Sequence, residues 1–172
     1  MDMKIMRFIK LLILAGSLMF CSIGGALAEA YSSGHQPLEI WDGPAMETAP
    51  LWLQYWLYFM TAVLAAGLLF VWRHALARWI VGGTILMIFL VGFVAPWFGI
   101  PVLAGLASLA HVICWSPGVY LALKQRPFFS GFSPFAIWSG LVTLVILISF
   151  IFDIPDSLIY LDHVSGLGVF GA

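Results

Sequence analysis

The sequence predicts an all-α membrane protein, an antiparallel bundle of four transmembrane helices that follows an N-terminal signal peptide. Of its 172 residues, 63% are hydrophobic and only 9% are charged, whereas a soluble domain carries roughly 25% charged residues. The apolar residues form long uninterrupted runs, each close to the ~20 residues that a helix needs to cross a bilayer. The charged residues lie between and beyond these runs.

The start of the chain has the pattern of an export signal. Three basic residues lie within the first ten positions, an apolar stretch follows, and the small-residue sequence ALA ends at Ala28. A basic start, an apolar centre and a small-residue end are the parts of a signal peptide. We therefore predict that residues 1–28 are a signal peptide cleaved after Ala28; left uncleaved, they would form a fifth transmembrane helix. Residues 29–50 are polar and rich in turn residues, which indicates an external segment.

Four apolar runs make up the predicted transmembrane domain, 51–152. The predicted spans are 51–72, 79–96, 102–123 and 133–152. A short link with two prolines joins the second span to the third, which favours an antiparallel hairpin. Residues 153–172 are predicted to be an external C-terminal tail.

The basic residues predict how the chain is threaded. Outside the signal peptide all of them flank two loops, 73–78 and 124–132: Arg73, Arg78, Lys124 and Arg126. The acidic residues lie before the first span or after the fourth. Loops that carry Lys and Arg stay in the cytoplasm, so both termini are expected to be periplasmic or extracellular. Because the export signal gives the same side for the N-terminus, we expect a multi-pass protein of a bacterial inner (plasma) membrane.

One ionisable side chain, His111, lies inside the third span. On a helical wheel its face also carries small and polar residues, namely Ala104, Ala107, Ser108, Cys114, Trp115 and Gly118. The opposite face is bulky and aliphatic. Small and polar faces turn toward neighbouring helices in lipid, so His111 is predicted to point into the bundle.

Two interpretations of His111 remain open. In the first, it forms a packing hydrogen bond with a hydroxyl of another span, the candidates being Thr61, Thr84, Ser139 and Thr143. In the second, it marks a ligand site, since intramembrane ionisable groups mark proton relays and binding sites. The candidate ligand-binding residues are then His111, Trp115, Ser108, Cys114 and Met60. A quinone would use His111 and Trp115, whereas haem would need Met60 as the second ligand.

The tail after the fourth span contains Asp153, Asp156, Asp162 and His163. Their spacing matches no zinc or calcium pattern, and no metal site is predicted. Asp153 and Asp156 bracket a proline, where we expect the helix to end or restart. The apolar residues that follow are expected to form a short amphipathic segment on the membrane surface; they are Ile154, Leu158, Ile159 and Leu161.

The sequence contains no motif of the common hydrolase, metalloprotease, nucleotide-binding or dithiol sites. Its polar segments are too short for a catalytic domain, and a net charge of −1 argues against a nucleic-acid partner. We therefore expect no catalytic residues and no cofactor, with the lipid bilayer and other membrane proteins as partners. The predicted function is a non-catalytic subunit or assembly factor of a larger membrane complex. The alternative is a redox-linked quinone- or haem-binding membrane protein centred on His111.

Overall fold

The computed structural model describes residues 37–169. The predicted signal peptide, 1–28, lies outside the described residues. Within 37–169 the chain is α-helical and contains no β-strand beyond a single isolated bridge. Four of its helices are long and apolar enough to cross a membrane, which confirms the predicted class of an all-α protein with four apolar helices.

We number the four long helices α1 to α4. They are α1 Leu51–Ala66, α2 Ala75–Phe89, α3 Ala104–Gln125 and α4 Pro134–Ser165. Shorter turns extend or join them: a short helix Gly43–Thr48, a 3₁₀ turn Gly67–Leu69, a π turn Leu90–Val94, a helical turn Ala95–Trp97 and a 3₁₀ turn Pro127–Phe129. With these turns included, the four apolar segments are Leu51–Leu69, Ala75–Trp97, Ala104–Phe129 and Pro134–Ser165.

The end of α4 differs most from the prediction. The predicted span stopped near residue 152, with a break expected at Pro155, yet the helix continues through Pro155 to Ser165. Packing against α3 explains this: a Cβ built on Gly105 would lie 2.6 Å from Cβ of Tyr160, so α3 and α4 lie in close contact there. This contact offsets the cost of a proline inside a helix, about 3 kcal/mol. The helix ends instead at Gly166, a residue with φ of 66°, a conformation that favours glycine.

α3 packs between α2 and α4, and α1 packs against α2 and α4. The hydrophobic core lies in the half of the bundle nearest the two basic loops, because every helix contributes residues from that half. Its members are Met60, Val63, Leu64, Leu76, Ala77, Ile80, Trp115, Val119, Ala122, Trp138, Val142, Val145 and Ile146.

Glycines let α2 and α3 approach closely. A Cβ on Gly83 would collide with the backbone carbonyl of Cys114, and a Cβ on Gly118 would collide with the side chain of Ile80. Small residues at such positions allow tight packing of helices in lipid, where no hydrophobic effect drives helices together.

The segment just before the short N-terminal helix is tied to the start of α3. The carbonyl oxygens of Pro37 and Glu39 accept the backbone N–H groups of Gly105 and Ala104 at 2.7 and 2.9 Å. No side chain caps the start of α3, so these bonds satisfy donors that would otherwise lack partners. The predicted external segment is therefore ordered where it meets α3.

Candidate functional site

His111 lies between α3 and α4, where its Nδ1 is 3.3 Å from Oδ2 of Asp153. The two side chains are only 18% and 10% exposed. Nδ1 itself is buried and makes no aligned hydrogen bond within residues 37–169. The imidazole and the carboxylate are therefore at ion-pair distance but are not aligned as a hydrogen bond.

The hydroxyls expected to bond His111 are engaged elsewhere or point away: Thr61, Thr84, Ser139 and Thr143. Thr61 is exposed on α1. Ser139 and Thr143 donate to backbone carbonyls of their own helix at 2.8 and 2.6 Å. The partner of His111 in the structure is instead a carboxylate that the prediction had placed outside the spans.

Asp153 belongs to a polar face of α4. Its Oδ2 accepts a hydrogen bond from the hydroxyl of Ser149 at 2.6 Å. Asp153, Asp156, Ser157 and Tyr160 are all buried, and their spacing of three, four and seven residues places them on one side of the helix. No group of three or more His, Cys, Asp or Glu residues within 37–169 is arranged to hold a metal ion.

Trp115, one turn from His111 on the same helix, stacks on the imidazole. The rings of His111 and Trp115 are stacked, with centroids 4.3 Å apart and planes 6° from parallel. Trp115 is fully buried, and its indole N–H donates to Oγ1 of Thr84 at 3.0 Å. The Thr84 hydroxyl in turn donates to the carbonyl of Ile80 at 2.9 Å. Contacts from α3 and α4 thus hold the imidazole ring, and α2 holds the indole on which it stacks.

The remaining predicted ligand-binding residues occupy different places. Ser108 is buried one helical turn from His111. Cys114 is buried on the side of α2, where it lines an apolar cavity of about 160 Å³. Met60 lies in the hydrophobic core, in the same cluster as Trp115. Of the predicted set, the structure brings His111 and Trp115 into direct contact.

Sequence reasoning missed Asp153, although a signal for it was present. Ser149, Asp153, Asp156, Ser157 and Tyr160 repeat at helical spacing across the end of the apolar run. The repeat was overlooked because the helix was predicted to end near Pro155, which assigned Ser149 to the fourth span and the other four residues to the tail.

The site's chemistry follows from its two ring nitrogens. A carboxylate beside Nδ1 favours the tautomer with the proton on Nδ1. Nε2 makes no hydrogen bond to any residue in the described part of the chain. It would accept a hydrogen bond when the ring is neutral and donate one when the ring is protonated.

Comparisons with known proteins give no relative. No protein-family model matches this chain, no curated protein is significantly similar in sequence, and no solved structure is significantly similar in fold.

Proposed function

We propose that this multi-pass membrane protein binds a lipid-soluble ligand of the quinone class beside His111. The observation that supports this is the largely buried pair of His111 and Asp153, 3.3 Å apart. Ionisable groups are costly inside a membrane, and those that persist there are paired and mark ligand or proton sites. For packing alone, a hydroxyl at position 111 would be sufficient, and α4 would not need a carboxylate beside it.

The chemistry of His111 suits a ligand that changes between carbonyl and hydroxyl forms. The quinone carbonyl would accept a hydrogen bond from a protonated Nε2, and the quinol hydroxyl would donate one to a neutral Nε2. Asp153 would orient the ring through the Nδ1 edge that it faces at 3.3 Å. Trp115 is fully buried and one of its faces is covered by His111, so its role is to hold the imidazole rather than to stack on the ligand.

Binding of a short-chain ubiquinone analogue to the purified protein tests this proposal. We expect saturable binding at one site per chain and an affinity at least about tenfold lower for His111→Gln, which corresponds to about 1.4 kcal/mol. Cys114→Ala is the matched control, because Cys114 lies on the same helix but lines the separate apolar cavity beside Leu90 and Val91, which His111 does not line. A folded His111→Gln variant that binds as tightly as the wild type would refute the proposal.

An absorbance spectrum of the same sample separates the quinone proposal from haem binding. Haem would require a second ligand such as Met60, and that side chain belongs to the hydrophobic core. A Soret band in protein from native membranes would favour haem over quinone.

A second candidate function is that of a non-catalytic subunit or assembly factor of a membrane complex. The observation that favours it is the first half of α1, where Tyr55 and Tyr58 are 69% and 62% exposed. The buried residues of α1 all lie in its second half. We expect a partner membrane protein to co-purify in mild detergent, and His111→Gln to leave this association intact.

We further infer that the protein resides in a bacterial inner membrane with both termini outside the cytoplasm. The positions of Arg73, Arg78, Lys124 and Arg126 between the apolar segments support this orientation. Alkaline phosphatase fused after Ala172 should be active, and the same enzyme inserted in the 124–132 loop should be inactive. The opposite pattern would refute the orientation.

A further inference from the structure

A cavity lies at the end of the bundle that carries the basic loops. The turn between α1 and α2 and the loop before α4 surround it, with a volume of about 690 Å³. Polar and aromatic residues line it together: Trp72, Arg73, His74, Ser130, Ser133 and Phe135. The cavity is separate from the His111–Asp153 pair, which lies in the halves of α3 and α4 that are farther from the basic loops.

The cavity carries positive charge without a compensating acid. The guanidinium of Arg73 makes no hydrogen bond or ion pair to any residue between 37 and 169. By contrast, Arg78 is held by the carbonyl of Val71 at 3.2 Å. No acidic residue lines the cavity. Arg73 is therefore a cation available to an anionic ligand.

Hydrogen-bond donors accompany this cation. The Ser133 oxygen accepts the backbone N–H of Ala136 at 3.1 Å, which leaves its own hydroxyl hydrogen free to donate. The imidazole of His74 is stacked on Phe135, with centroids 3.5 Å apart and planes 10° from parallel. Its ring nitrogens make no hydrogen bond to the described residues, so they too are available.

The apolar side of the cavity fits a ligand with a hydrocarbon part. Trp72 is 88% exposed, and tryptophan is enriched where lipid headgroups meet the hydrocarbon region. Basic pockets between transmembrane helices bind anionic headgroups, and the guanidinium fork matches the geometry of a phosphate.

We propose that this cavity binds a phosphate group through Arg73, and that the headgroup of an anionic phospholipid supplies it. Ser133 and His74 donate further hydrogen bonds, and the acyl chains lie against Trp72 and the neighbouring apolar residues. Free inorganic phosphate shares the same chemistry and is the other possible source.

Native mass spectrometry of the full chain in detergent, with added phosphatidylglycerol, tests the proposal. We expect one tightly held phosphatidylglycerol per chain, and an apparent affinity about tenfold lower for Arg73→Gln. Arg126→Gln is the matched control, because it removes a charge from the same end but lies outside the cavity. We expect its affinity to stay within about twofold of the wild type.

Two further arms identify the source of the phosphate. Phosphatidylcholine should bind at least about fivefold more weakly than phosphatidylglycerol, since it carries no net charge. If inorganic phosphate binds in an Arg73-dependent way and displaces the lipid, the phosphate site stands and its ligand is soluble. If inorganic phosphate does not displace the lipid, the ligand of the site is the phospholipid headgroup.

Two results overturn the proposal. One is equal binding of phosphatidylglycerol by the wild type and a folded Arg73→Gln variant. The other is an equal loss in Arg73→Gln and Arg126→Gln, which would indicate a general effect of surface charge. Circular dichroism checks folding, and Arg73→Lys, which keeps the charge and loses the fork, should bind with intermediate affinity.

Discussion

The coupling between His111 and Asp153 can be measured with a double-mutant cycle. His111→Gln removes the ionisable ring, Asp153→Asn removes the carboxylate charge, and the double variant removes both. The pair should be more strongly coupled than two neutral groups, because its two polar atoms lie 3.3 Å apart in a largely buried setting. We expect the double variant to lower the free energy of unfolding by less than the sum of the losses in the two single variants, because each single variant already removes the interaction.

The distance sets the size of this coupling. For a charged imidazolium and carboxylate 3.3 Å apart, an effective dielectric constant of about 20 gives an attraction of about 5 kcal/mol. Both side chains keep some exposure, 18% and 10%, so solvent screens part of this attraction. Neutral hydrogen bonds between membrane helices average about 0.6 kcal/mol and reach about 1.7 kcal/mol. We therefore expect a coupling free energy of about 2–3 kcal/mol, above the range for neutral pairs.

Unfolding in mixed micelles, followed by circular dichroism, gives the four free energies of the cycle. A parallel cycle of His111→Gln with Thr143→Val is the control, since Thr143 is ten residues, about 15 Å, from Asp153 along α4. Its coupling should be within about 0.5 kcal/mol of zero, as for independent sites. A His111–Asp153 coupling of about 0.6 kcal/mol or less would show that the pair is an ordinary packing contact.

Three further predictions concern packing and membrane placement. Gly83→Ala should lower the free energy of unfolding by about 1–3 kcal/mol because the added Cβ meets a backbone carbonyl. Gly82→Ala, with open space around it, should be neutral or stabilising by up to about 1 kcal/mol in the same assay. Trp138→Phe should cost about 1–3 kcal/mol, since it removes a buried indole N–H bond of 2.9 Å to a carbonyl of α1. Cysteine at Leu158 should react slowly with a membrane-impermeant maleimide, whereas cysteine at His163 should react quickly; equal rates would contradict lipid contact at Leu158.

The four apolar helices were predictable because the length of an apolar run is a local property of the sequence. The end of α4 was not, because Pro155 is a local stop signal that packing against Gly105 overrides. The π turn Leu90–Val94 likewise has no local signal in its apolar residues. Boundaries that depend on contacts between helices are therefore the part of the fold that the sequence could not supply.

The same division applies to the candidate site. The contact between His111 and Trp115 follows from their spacing of four residues on one helix. The contact between His111 and Asp153 depends on how α3 and α4 are aligned along their length, which no single run of sequence encodes. The engagement of Thr84 with Trp115 rather than His111 is also set by that alignment.

The orientation of the last turns of α4 bears on both interpretations of the site. An amphipathic helix at the membrane surface would bury its apolar residues in the bilayer and expose its polar residues to water. Here Ile154 and Leu158 are exposed, whereas Asp153, Asp156 and Ser157 are buried. A helix that covers its polar face and presents its apolar face is stable where its surroundings are apolar.

The length of α4 bears on how much of it lies in lipid. At about 48 Å, the 32 residues of α4 exceed the ~30 Å hydrocarbon thickness, so a tilted α4 would keep more of these turns in lipid. Asp153 then counts as an intramembrane carboxylate, and the functional interpretation of His111 becomes stronger than it was for a histidine without a charged neighbour.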